Sequence, residues 1–119
     1  MIILRSMKMT KLSEKVCEPC KGGIPPLTST EIEPLAKELG NNWEVIENHH
    51  LFKKYEFPDF VEALAFVNKV GELAEDVGHH PNFSFTWGYV EITIWTHKIN
   101  GLNEADFILA AKIETLFTN

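Results

Sequence analysis

Residues Glu75 to His97 read EDVGHHPNFSFTWGYVEITIWTH, and the pattern changes twice inside this stretch. Glu75 and Asp76 close a helical run, and Gly78 supplies the left-handed stop that ends it. His79-His80-Pro81 must then leave the helix, because a residue before proline avoids the α region. From Phe83 the period becomes two: Phe83–Trp87 and Tyr89–Thr96 read as the arms of a hairpin around Gly88. In the second arm Val90, Ile92, Ile94 and Thr96 share one face and are expected to face the core. Tyr89, Glu91, Thr93, Trp95 and His97 share the other. Three of the chain's five histidines, His79, His80 and His97, fall in this stretch. Histidine exchanges protons near neutrality, so such a cluster placed by a helix end and a strand end points to acid–base chemistry.

Working outward, Asp59 caps a long amphipathic helix running to about Val77, with Glu62 as its capping partner. Phe60, Leu64, Val67, Gly71 and Ala74 form its expected sheet-facing stripe, broadened by Val61, Ala65, Val70, Leu73 and Val77; this reads as the main core helix. Before it, Trp43–Ile46 and Leu51–Phe57 form a first hairpin around Glu47-Asn48-His49, where His49 and His50 read as solvated turn residues. A first helix starts at Thr28 or Thr30 and stops before Gly40. Pro34 favours the later start, since only in the first turn is its missing N–H harmless, and this helix is expected to cover the sheet. Asn103 caps a last helix to Phe117, and Asp106, three residues on, fits the reciprocal capping position, which is its preferred role. The order α-β-β-α-β-β-α describes an α+β fold: a four-stranded, mainly antiparallel sheet with helices packed on one face.

A chain of 119 residues supports one core. Residues 27–119 are expected to form the domain, preceded by a flexible extension over 1–26. With 45% hydrophobic and 24% charged residues the chain is too apolar for intrinsic disorder. A net charge of −6 lacks the basic footprint that direct nucleic-acid binding requires. The opening MIIL is broken by Arg5, too short for a signal sequence or membrane span, so a cytoplasmic location is expected; Met7 and Met9 are alternative starts. Cys17 and Cys20 form one CxxC with no second cysteine pair to complete a zinc site. The glycines and prolines downstream prevent a thioredoxin-type helix, and an unpaired thiol pair is preferred over metal or redox use.

Glu75, three residues, His79-His80-Pro81, the aromatic Trp87, Thr96-His97 and the later Asp106 together resemble the signature of the pterin-4a-carbinolamine dehydratase family. The likeness runs from about Leu27 to Phe117. It implies the same fold and the dehydration of 4a-hydroxytetrahydrobiopterin, the product of aromatic amino acid hydroxylases, to quinonoid dihydropterin. By resemblance His79 and His97 transfer protons, His80 is catalytic through substrate binding and orientation, and Glu75 and Thr96 bind substrate. Asp106 caps its helix or supports the site, and Trp87 is left to packing. No cofactor and no metal are implied. A metal reading of His79, His80 and His97 with Glu75 or Asp76 is disfavoured because adjacent histidines on an extended chain point opposite ways. Trp95 on the outer sheet face requires cover, so a homodimer or homotetramer assembled through sheet surfaces or edges is expected. The alternative is a non-catalytic binding or dimerisation module of the same fold, acting as a coactivator through a protein partner.

Overall fold

The structure is a computed structural model and describes residues 11–16 and 23–118; Cys17 and Cys20 lie outside the described residues. The described elements are α1 (Ser29–Leu39), β1 (Glu44–Ile46), β2 (His50–Glu56), α2 (Phe60–Val77), β3 (Asn82–Thr86), β4 (Tyr89–Ile94) and α3 (Glu104–Thr118), with 3₁₀ turns at Leu12–Glu14 and His97–Ile99. The strands form one antiparallel sheet in the order β1-β2-β4-β3. This is the expected α+β architecture.

Local chemistry sets the ends of these elements. Glu47 and Asn48 both take positive φ, 53° and 55°, and the His49 amide donates to the Ile46 carbonyl at 2.8 Å. These two left-handed residues open the three-residue loop, Glu47 to His49, that joins β1 to β2. Asp59 caps α2 by accepting from the Glu62 amide at 2.9 Å, and Gly78, at φ 73°, ends it in the left-handed conformation. At α1 the capping box won over the proline. Thr28 and Glu31 exchange side-chain and backbone hydrogen bonds, so Pro34 sits inside the helix rather than in its first turn. Pro34 is exposed there, where water can satisfy the carbonyl it leaves without a donor.

Parity in β4 matches the expectation: Val90, Ile92 and Ile94 are fully or almost fully buried. They pair with Tyr55, Lys53 and Leu51 of β2 across the sheet's centre. Two helices differ from the sequence reading. The buried stripe of α2 is Ala63, Phe66, Val70 and Ala74, while Phe60, Val61 and Leu64 are exposed. Spacings of three, four and four residues keep those four on one face, and Phe60 at the rim stacks instead on Phe85 of the edge strand, 5.6 Å between centroids. The main core helix is α3, not α2: every residue from Ala105 to Ala110 is buried. It lies among α1, α2, β2 and the Leu12–Glu14 turn, and α1 packs chiefly on α3 rather than directly on the sheet. Leu12 enters the core, Lys15 pairs with Glu104 at 2.9 Å, and Lys112 donates to the Ser13 carbonyl, so residues 11–16 dock along α3.

The link from β4 to α3 carries His97. The strand stops at Ile94, two residues earlier than the alternation suggests, and Thr96 forms an isolated bridge with Gly101. Their amides and carbonyls exchange hydrogen bonds at 2.9 and 3.4 Å, enclosing the His97–Ile99 turn. A β-carbon at Gly101 would lie 2.6 Å from the Pro26 β-carbon. Nearby, the Leu27 amide donates to the Leu102 carbonyl at 2.9 Å, holding the segment before α1 against this link.

Candidate active site

His79 leaves the C-terminus of α2 immediately after Gly78 and turns inward. Its Nε2 lies 2.6 Å from Oδ1 of Asp106, whose side chain is fully buried in the first turn of α3. The other carboxylate oxygen accepts from the Thr96 hydroxyl at 2.8 Å and from the Asn103 amide at 2.9 Å. Asn103 in turn caps the helix by accepting from the Ala105 amide at 3.0 Å. Asp106 therefore does what its spacing predicts and more. One oxygen completes the cap, and the other fixes an imidazole from a different element. With two donors on Oδ2 the Asp106 carboxylate acts as an acceptor, and its Oδ1 accepts from the Nε2–H of His79.

His80 turns the other way. Its Nε2 meets Glu75 Oε2 at 2.6 Å, with both side chains well exposed. This pair spans the end of α2 and orients the ring more than it stabilises the fold. Asp76 is exposed. Neighbours in sequence, His79 and His80 thus reach different partners, one on α3 and one on α2. Among the described residues no group of three or more His, Cys, Asp or Glu side chains is disposed to hold a metal ion.

His97 opens the 3₁₀ turn and is exposed. Its ring lies flat on Trp95, centroids 4.2 Å apart and planes 8° apart. Gly78, His79, His80, Pro81 and Asn82 on one side and Trp95, Thr96, His97 and Lys98 on the other line a single open cleft of about 420 Å³. The three histidines singled out in the sequence thus meet at one cleft. Thr96 is buried with its hydroxyl committed to Asp106, Glu75 reaches the site through His80, and Trp87 is exposed on the β3–β4 turn and does not line the cleft.

His49 and His50 are not solvated turn residues. Their Nδ1 atoms lie 2.9 Å apart, His49 Nε2 meets Asn100 Oδ1 at 2.9 Å, and both rings contact Trp95, at 5.3 and 5.9 Å between centroids. Burial first, and then the charge of His49, holds the His50 imidazole below its usual range, with Glu47 opposing. The signal was the register: His50 stands one step beyond the Leu51–Ile94 pair, opposite Trp95, on the face away from the helices.

The model of the family described as pterin 4 alpha carbinolamine dehydratase matches residues 25–116. The chain belongs to this family. A Rickettsia canadensis protein is 60% identical over 90% of this chain and 98% of its own length, and one from Rubrobacter xylanophilus is 56% identical over 91% and 100%. Both are named provisionally as pterin-4-alpha-carbinolamine dehydratases. A Brucella melitensis crystal structure titled transcriptional coactivator/pterin dehydratase is similar at a TM-score of 0.71 and 27% identity, covering 76% of this chain and 97% of that one. A pterin dehydratase-like protein described as a RuBisCO assembly factor in the α-carboxysome is similar at 0.56 and 29%, covering 66% and 92%. The family assignment supports a dehydratase, a lyase, acting on a pterin. No helix among the described residues is long and apolar enough to cross a membrane.

Proposed function

We propose that this protein dehydrates 4a-hydroxytetrahydrobiopterin to quinonoid dihydropterin and water in the recycling of tetrahydrobiopterin, by histidine acid–base catalysis without a metal. The observation that carries this reading is the His79–Asp106 pair opening onto a cleft shared with His80 and His97. The 4a-hydroxyl is a poor leaving group as hydroxide. Protonating its oxygen lets the C–O bond break as water departs, while the neighbouring ring nitrogen's lone pair forms the C=N bond and that nitrogen gives up its proton. One proton is delivered and one removed, so a pair of imidazoles suffices. His79 and His97 are that pair, with Asp106 accepting from the Nε2–H of His79. His80, steadied by Glu75, orients the pterin, and Thr96 supports the site through Asp106. We place the protein in the cytoplasm, as a homodimer or homotetramer, downstream of an aromatic amino acid hydroxylase.

The test is the dehydration rate followed by ultraviolet absorbance. The wild type should accelerate it with or without chelator, and His79→Ala and His97→Ala should each lower kcat by roughly 10²- to 10⁴-fold while remaining folded. A wild-type protein that leaves the uncatalysed rate unchanged removes the proposal. The second reading, a non-catalytic binding module, draws on the similar pterin dehydratase-like RuBisCO assembly factor and on the coactivator role named beside pterin dehydratase for the Brucella melitensis protein; it predicts an inactive wild type that retains a protein partner.

A further inference from the structure

His97 is held differently from His79. Its side chain is exposed, and its ring makes no hydrogen bond among the described residues. An exposed side chain samples its rotamers unless a neighbour fixes it. The neighbour is Trp95, whose indole lies parallel to the imidazole at 4.2 Å. Trp95 is itself walled by His49 and His50 from the adjacent strand end. His49 adds a second tie. Its Nε2–H donates to Asn100 Oδ1, and Asn100, in the left-handed conformation at φ 52°, closes the turn by donating its amide to the His97 carbonyl at 3.1 Å. With that donor fixed, the Nδ1 atoms of His49 and His50, 2.9 Å apart, share a hydrogen bond that ties the two rings together. Side chain and backbone of His97 are thus both referred to the β1–β2 hairpin. None of Trp95, His49, His50 and Asn100 belongs to the acid, His-His-Pro, Thr-His and Asp pattern of the family.

We propose that Trp95, seated by His49 and His50, is the positioning residue for His97: the indole face sets the plane of the imidazole, and the His49–Asn100 bond sets the turn that carries it. The inference rests on the reading of His97 as a proton-transferring residue. A histidine meeting substrate edge-on must hold its nitrogen within about 0.5 Å of a productive line, and misplacement by about 1 Å costs up to roughly 10²-fold in rate.

The experiment compares wild type with Trp95→Leu, Trp95→Phe and His49→Ala in the full chain. Proton NMR of the ring hydrogens of His97, assigned with His97→Ala, should place them upfield through the indole ring current. Trp95→Leu should return them to the position of a solvated histidine. Kinetically, Trp95→Leu should lower kcat by about 10- to 100-fold with KM little changed, Trp95→Phe should restore most of kcat because a flat face is back, and His49→Ala should give a smaller loss. If the ring hydrogens of His97 in the wild type already lie where a solvated histidine's do, or if Trp95→Leu keeps full kcat while His97→Ala does not, the positioning role falls and the dehydratase reading survives. If the wild type does not catalyse dehydration at all, the dehydratase reading falls and takes this one with it.

Discussion

Asp106 and Glu114 are both inward-facing carboxylates on α3, about two helical turns apart, and their surroundings make them different instruments. Asp106 accepts from His79, from the Thr96 hydroxyl and from the Asn103 amide. Glu114 accepts through Oε1 from the Tyr55 hydroxyl at 2.7 Å, Lys53 at 2.9 Å and the Trp43 indole at 3.3 Å. The side chains of Lys53 and Glu114 are only 11% and 13% exposed. Tyr55 packs in a cluster with Phe66 and Phe117, and its hydroxyl is pushed far above the usual phenol range, by burial first and then by its bond to Glu114. Its proton does not leave near neutrality. The imidazole on Asp106 belongs to the one side-chain type that ordinarily exchanges its proton there, and it lines an open cleft. A buried carboxylate therefore does not mark a site; the partner it holds, and what that partner faces, does.

Exchanging charge for amide at both positions tests this contrast most strongly. Asp106→Asn places an NH₂ group where donors already point, and kcat for pterin dehydration should fall by roughly 10²-fold. Glu114→Gln should leave kcat per folded molecule within about twofold but lower unfolding free energy by about 1–3 kcal/mol in urea titration, because Lys53 and Tyr55 lose an anionic acceptor. Equal losses of kcat in the two variants would erase the distinction. Tyr55→Phe should cost about 1 kcal/mol of stability, read in the same titration, with the kinetics unchanged. The smallest effect belongs to His50, whose folded pKa is lowered. The unfolded chain then binds the proton more readily than the native one, so the His50 contribution is complete above about pH 6.5 and declines as pH falls through the folded value. Melting temperature against pH should accordingly fall less steeply below pH 6.5 in His50→Asn than in the wild type.

Local chemistry made much of the fold legible. Asp59 and Asn103 carry the cap chemistry of their helices, Glu47-Asn48 suits a tight hairpin turn, and the alternation in β4 separates Val90, Ile92 and Ile94 from Trp95. The clustering of His79, His80 and His97 follows because a helix end and a strand end each deliver histidines to the same edge. Contacts between elements were not legible. The spacing of Asp106 from Asn103 already has a full local explanation, which hides the second oxygen's contact with a histidine 27 residues away. In α2 apolar residues surround the axis, so periodicity alone does not choose between the Phe60–Leu64 and the Ala63–Phe66 faces. His49 and His50 sit in a turn by sequence, and only strand register brings them to Trp95.

The burial of α3 has a consequence for time as well as for space. Amides from Phe107 to Ala110 lie in a segment enclosed on every side, the kind that exchanges its hydrogens only when the whole molecule opens. The carboxylate that fixes His79 belongs to this enclosed helix, whereas the turn bearing His97 is exposed and held by backbone bonds within residues 96–101 and by the His49–Asn100 contact. One histidine of the cleft, His79, is thus anchored to the enclosed part of α3 and another, His97, to an exposed turn steadied from a neighbouring hairpin, so hydrogen exchange should report earlier opening at the His97 turn than beside Asp106.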